Sequence, residues 1–205
     1  GEAMTVIDDA LVAHLEAGGV IAYPTSTLPG LATLPTSTAL DALYALKQRP
    51  AHQPVSLGVH SLDQASQLVH VPPIAHDLLD AFPLGSLTLI LQAVTPLDPR
   101  LGGHRVAVRV LAHPTARALV QHVGPVTATS ANESGVTPLE SAQAAGAALG
   151  LDKDSILEGS CPGGKGSTLV SLEQDPSQPI GFSVTIMREG VVPANEVEAW
   201  KLKRV

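Results

Sequence analysis

Thr127-Ala128-Thr129-Ser130-Ala131-Asn132-Glu133-Ser134-Gly135 follows the apolar run Val123-Gly124-Pro125-Val126 and precedes a helix-like segment that begins at Pro138. Small hydroxyl residues, an Asn and a Gly therefore stand where a buried strand ends and a helix starts. In open α/β sheets the carboxyl ends of strands are where ligands bind, and backbone N–H groups at such places favour anions. Ser130 and Asn132 supply short donors and acceptors, and Ala131 leaves room for a phosphate to approach the backbone. Taken alone, the segment reads more simply as an N-cap and turn, where Ser, Asn and Gly are common. Its neighbours carry the argument further.

Upstream, Val6, Ala10, Leu11 and Leu15 recur at helical spacing and Gly18-Gly19 supplies the stop. Residues 20–23 read as a short buried strand ending at Pro24, and residues 25–33 as a Thr/Pro/Gly loop. A second helix, marked by Ala39, Leu40, Leu43, Tyr44 and Leu46, carries Lys47 and Arg49 out at an exposed end and stops at Pro50. Residues 55–59 form a strand, Ser61 with Gln64 a capping box, and residues 74–81 a helix. Strands over 86–93 and 106–110, a helix over 115–122 and a strand over 125–129 follow. Downstream come an Ala-rich helix over 139–149, strands at 155–157, 168–172 and 184–187, and a polar tail over 195–205. Strands and helices intermix without strict βαβ alternation. The expectation is a single three-layer α/β (α+β) domain over residues 4–192, with a mixed sheet, and a C-terminal tail over 193–205.

With 205 residues the chain suits one sizeable core. Aromatics make up only 2% of it, so Leu, Val, Ile and Ala must build that core. A single cysteine, Cys161, excludes an intrachain disulfide framework and fits a reducing, cytoplasmic setting. No apolar run approaches the roughly 20 residues of a membrane span. Residues 1–3 read as a tag remnant ahead of Met4, with no signal peptide. The net charge of −7 argues against a surface field that attracts nucleic acid, but leaves room for a local cationic pocket.

The segment 159–168 nearly matches a P-loop, but Gly166 occupies the place where Ser or Thr must hold magnesium, and a strand follows instead of a helix. It reads instead as a Gly-rich lid or turn, with Ser167 and Thr168 at a strand mouth. The eight histidines form no zinc pattern, Cys161 lacks an activating partner, and Ser130 is not in a Gly-x-Ser-x-Gly elbow. Lys47-Gln48-Arg49-Pro50 puts two cations at a helix end. They complement the dipole there, or clamp an anion, with Arg offering a bidentate fork. Arg109, inside Val106-Ala107-Val108-Arg109-Val110, needs a buried partner or an anionic ligand.

In order, these segments resemble the YrdC family of threonylcarbamoyl-adenylate synthases. The matching elements are Pro24-Thr25-Ser26-Thr27-Leu28-Pro29-Gly30-Leu31, Lys47-Gln48-Arg49-Pro50, Ser86-Leu87-Thr88-Leu89 and the run from Val106 through Arg109 to His113-Pro114. They continue with Thr129 to Gly135, Gly166-Ser167-Thr168-Leu169-Val170 and Met187-Arg188-Glu189-Gly190. The resemblance covers about residues 6–192, and order and spacing carry it more than any one motif. It implies a twisted mixed sheet flanked by helices around a concave pocket. It also implies a nucleotidyltransferase that joins L-threonine, bicarbonate and ATP and releases pyrophosphate, before a separate transferase complex modifies adenosine in tRNA. By the same resemblance, Lys47 and Arg49 are the catalytic and phosphate-holding residues. Ser130, Ala131, Asn132 and Ser167 join them in binding the nucleotide, and Thr25, Thr27 and Arg109 recognise threonine. Mg2+ accompanies ATP through phosphate oxygens and water, with no side-chain ligand.

Three departures stand out: Ser26 replaces the family's usual Glu, Pro29 an aromatic, and Phe82-Pro83-Leu84-Gly85-Ser86 lacks a Trp. The first two lie beside the pocket, so a paralogue acting on another amino acid is an alternative. A second alternative is a double-stranded-RNA-binding module with weak affinity on the same fold. The acidic balance opposes it, and RNA affinity that falls with salt would distinguish it. A carbamoyl-transfer role ranks last, for want of accompanying zinc-finger and acylphosphatase-like domains.

Overall fold

Alternation along β5 (Arg105–Val110) organises the molecule: Val106, Val108 and Val110 are buried in the core, while Arg105, Ala107 and Arg109 face a solvent-reached cleft. This computed structural model describes residues 7–133, 135–137 and 139–204. The readings made on residues 1–3, Val6, Ser134, Pro138 and Val205 lie outside the described residues.

The other strands are β1 (Ile21–Tyr23), β2 (Gly30–Ala32), β3 (Ser56–Val59), β4 (Leu87–Gln92), β6 (Val126–Ser130), β7 (Thr168–Gln174) and β8 (Phe182–Arg188). They form one eight-stranded sheet in the order β1-β2-β6-β3-β5-β4-β7-β8. The pairs β3–β5 and β4–β7 are parallel and the rest antiparallel, so the sheet is mixed as expected.

The helices are α1 (Asp9–Glu16), α2 (Ser37–Lys47), α3 (Leu62–Ala65), α4 (Pro73–Asp80), α5 (Pro114–Val123), α6 (Ala142–Ala148) and α7 (Ala194–Leu202). One core joins Ala22 and Leu31 with Leu40, Leu43 and Tyr44 of α2, Leu78 of α4 and Val197 and Trp200 of α7. The alternate strand residues Ile21, Tyr23, Ala32 and Val126 pack instead with Leu11 and Leu15 of α1 and Leu119 and Val120 of α5. Two cores on opposite faces make the three layers. The second face is covered at one end by α1 and α5, and its uncovered remainder over β5, β4 and β7 is the cleft.

Four expectations need correction. Gly30-Leu31-Ala32, read as loop, is β2, held between β1 and β6 by antiparallel pairing. The strand expected at 155–157 is a 3-10 turn (Lys153–Ser155) followed by a single bridge of Ile156 to Ala22. The Ala-rich helix begins at Ala142, because the Ser141 hydroxyl accepts from Ala144 N–H and caps it. The tail contains α7, whose Val197 and Trp200 are buried. Among the described residues no helix is long and apolar enough to cross a membrane.

Candidate active site

The cleft holds about 530 Å3. Thr25, Thr27, Arg49, Arg109, Ser130 and Ser167 all line it, although they come from five separate chain segments.

Each is held by local structure. The Thr25 hydroxyl donates to the carbonyl of Leu28 and accepts from Thr27 N–H at 3.1 Å, closing the turn that ends β1. Gly30 permits this turn to lie on β1, since a Cβ there would meet the Tyr23 ring at 2.6 Å. The Tyr23 hydroxyl donates to Thr127 O at 3.3 Å, and burial pushes its ionisation far above the ordinary tyrosine range. The Ser167 and Thr88 hydroxyls are buried and hydrogen-bonded to each other at 2.6 Å. Arg109 Nε donates to Gly85 O at 2.8 Å, and Nη2 to Thr27 Oγ1 at 3.3 Å and Ser26 Oγ at 3.4 Å. Burial lowers the guanidinium's pKa and outweighs the opposing effect of Tyr23, so the site resists charge there unless an anion arrives.

Gln48 adopts the left-handed conformation (φ 51°) at the end of α2 and turns the chain so that Arg49 reaches the cleft. Arg49 Nε and Nη2 also donate to Gln53 O at 2.9 Å and Pro54 O at 2.7 Å, bracing the loop into β3. Lys47 is not at an exposed helix end as expected. It is only 2% exposed, and its Nζ donates to Ser130 O at 2.5 Å, beneath the cleft wall. Desolvation, with Arg49 nearby, lowers its pKa from 10.5 to about 8.

Ala131 and Asn132 stand outside the lining. The Ala131 N–H is spent on Pro29 O at 2.7 Å. The Asn132 amide nitrogen ties Glu133 O at 2.9 Å and Val136 O at 2.5 Å, leaving its buried oxygen without a partner among the described residues.

Three residues without a role in the sequence reading also line the cleft: Thr88, Arg105 and Arg188. Arg188 Nη2 donates to Ser167 O at 3.2 Å. Arg105 was detectable, because it shares a strand face with Arg109 four residues on. Four guanidinium groups thus meet in a cleft whose lining contains no carboxylate. Among the described residues none of the four, nor Lys47, joins an ion pair. In a chain of net charge −7, this concentration gives the α/β fold a cationic cleft suited to anions.

The relationship agrees. The Sua5/YciO/YrdC family, described as "Telomere recombination", matches residues 13–190, and the chain belongs to it. A threonylcarbamoyl-AMP synthase of Photobacterium profundum is 30% identical over 188 residues, covering 88% of this chain and 97% of its own. One of Alkalilimnicola ehrlichii is 38% identical over 150 residues, 71% of this chain and 78% of that one. The structure of P. abyssi Sua5 complexed with L-threonine matches with a TM-score of 0.76 at 28% identity. That match covers 95% of this chain but 58% of the Sua5 chain, so this chain spans less than two thirds of that relative.

Proposed function

We propose that this protein forms threonylcarbamoyl-AMP and pyrophosphate from L-threonine, bicarbonate and ATP. The observation that carries the reading is the convergence of Arg49, Arg105, Arg109 and Arg188, with Lys47 behind Ser130, on a cleft without carboxylates. Relatives named for this activity along most of their length support it.

The reaction asks for this electrostatic setting. The threonine amine adds to bicarbonate carbon and water leaves, giving a carbamate. A carbamate oxygen then attacks the α-phosphorus of ATP, and the bond to the pyrophosphate group breaks. Bicarbonate, the carbamate and ATP are anions and threonine carries a carboxylate, so fixed cations in a partly desolvated cleft reduce repulsion on approach and hold the charge that builds on the leaving group. Arg49 holds phosphates at the reacting centre, and Lys47, buried behind Ser130, adds its charge from beneath the cleft wall. Ser130 and Ser167 offer hydroxyls to the nucleotide, and Ala131 and Asn132 shape the turn that presents Ser130. Thr25, Thr27 and Arg109 receive threonine, with Arg109 taking its carboxylate. Magnesium enters as part of the MgATP substrate, since the lining offers no carboxylate to hold it. The product, a mixed anhydride, passes in the cytoplasm to a complex that modifies tRNA.

The test is pyrophosphate release from MgATP, with L-threonine and bicarbonate each added and withheld. Release that needs both is expected. ATP binding with no response to threonine would overturn the substrate, and a screen of other amino acids would replace it.

A further inference from the structure

The Gly-rich segment 159–168, which is no P-loop, is tied to the cleft walls at both ends. Its first part is firmly held. A Cβ at Gly159 would meet Pro24 at 2.6 Å, Ser160 bridges Ser141, and the buried Cys161 donates its N–H to Glu140 O at 2.9 Å. Gly163 N–H then donates to Thr27 O at 2.8 Å, which fastens the chain to the turn carrying Thr25 and Thr27. The last part is held as well. Gly166 O accepts from Val191 N–H at 2.8 Å, Ser167 O accepts from Arg188 Nη2 at 3.2 Å, and Thr168 N–H donates to Ser86 O at 2.9 Å. Between these anchors lie only Gly164 and Lys165, which form no hydrogen bond among the described residues. Gly163 and Gly164 both take left-handed backbone (φ 80° and 87°), and a Cβ on either, or on Gly166, would meet nothing within 4 Å. These glycines serve the path and freedom of the backbone, not close packing. Lys165 is exposed, stands outside the cleft lining and joins no ion pair among the described residues. The three residue steps from Gly163 to Gly166 reach at most about 11 Å. The span is therefore a short strap beside the cleft, from the threonine turn to the head of β7.

Thr27 and Ser167 both line the cleft, one on the side assigned to the amino acid and one on the side assigned to the nucleotide. The strap runs between them, beside the place where the two substrates join. We infer that the strap folds onto the cleft when its anions are bound, and that the Lys165 ammonium then contacts the carbamate and α-phosphate oxygens as they meet. The identity of those oxygens rests on the proposed function, whereas the strap and its cation do not. Charge gives the movement its direction. In the free protein Arg109 and Arg188 already stand at this end of the cleft, and their like charge keeps an ammonium outside. Bound anions reverse that field and draw it in. Lysine suits the task, because a point charge on a flexible four-carbon stem follows oxygens that move during the reaction. A cation that arrives with the substrates lowers the repulsion between carbamate and phosphate when they approach.

Trypsin reports the strap directly, since the Lys165–Gly166 bond lies in an exposed, glycine-flanked span. Nicking there is followed by mass spectrometry, with no ligand and with L-threonine plus the magnesium complex of an α,β-methylene analogue of ATP. Calorimetry sets the saturating concentrations. The ligands should slow this nick at least about tenfold, because cutting tracks the population of the open form. Cutting after Lys203, in the exposed C-terminal turn, should not change. Lys165→Gln should lower kcat for pyrophosphate release at least about tenfold, the effect of losing one charged hydrogen bond. Its Tm should equal that of wild type, since the side chain holds nothing in the free protein, and Lys165→Arg should restore most of the rate. Undiminished nicking in the saturated protein, or wild-type kcat in Lys165→Gln, overturns the assignment. Protection by the analogue in a protein that releases no pyrophosphate with threonine keeps the strap and rejects the reaction.

Discussion

Lys47 invites a perturbation whose sign differs from intuition. The residue is 2% exposed, and its pKa is lowered from 10.5 to about 8 mainly by desolvation. Each tenfold displacement of a proton equilibrium is about 1.4 kcal/mol, so holding this charge costs the folded state about 3 kcal/mol at neutral pH. Replacement by Met keeps most of the stem's packing and removes the charge. What is lost is the hydrogen bond to Ser130 O, about 1 kcal/mol, with a long one to Ser130 Oγ at 3.5 Å, and the Ser130 carbonyl is not orphaned because it also accepts from Asn132 N–H at 3.0 Å. Lys47→Met should therefore be more stable than wild type at pH 7 by about 1–2 kcal/mol, or about 2–8 °C in Tm for a chain of this length. The pH dependence follows from linkage. Between about pH 8 and 10.5 the unfolded chain keeps a proton that the folded one has released, so wild-type stability rises with pH and the variant's advantage shrinks. Melting both proteins by circular dichroism at pH 7 and 9.5 checks this, with pyrophosphate release alongside. Turnover should fall strongly despite the gain in stability. A variant less stable than wild type at pH 7, or an advantage that does not change with pH, refutes the desolvation argument. Full turnover refutes the role in phosphate binding.

Arg49→Ala should reduce ATP-dependent turnover by about tenfold or more while changing Tm little, because its partners are two loop carbonyls at a half-exposed site. Steady-state kinetics and a melt on the same preparation read both. Thr168→Val should cost about 3 kcal/mol in urea unfolding. The Thr168 hydroxyl, fully buried, donates to Val192 O at 2.7 Å and accepts from Gly190 N–H at 2.9 Å and Val192 N–H at 3.0 Å. A loss under about 1 kcal/mol would mean that these groups find other partners.

Much of the fold was legible because its signals are local. The Ser61 cap and the two-residue period of β5 act within a few residues. What was not legible is decided at a distance. Gly30-Leu31-Ala32 has no strand propensity of its own and becomes β2 because Ser130 and Thr129 pair with it from about a hundred residues away. The last helix is polar nearly all round and shows only Val197 and Trp200 to the core, too narrow a stripe for periodicity to reveal. The cationic motif residues were readable one by one. The burial of Lys47 was not, since it depends on β6 lying over the end of α2. Nor does any spacing announce that Ser26 stands against Arg109, 83 positions along the chain.

The walls of the cleft run from Tyr23 on β1 to Arg188 on β8, so the site needs the first and the last strand of the sheet together. During synthesis the first half would emerge with Arg49 and Thr25 in place but with no opposite wall, since β7 and β8 come last. A truncated product would therefore be inert instead of partly active. A ligand that needs both walls could bind only after β7 pairs with β4, and would select molecules whose sheet is closed.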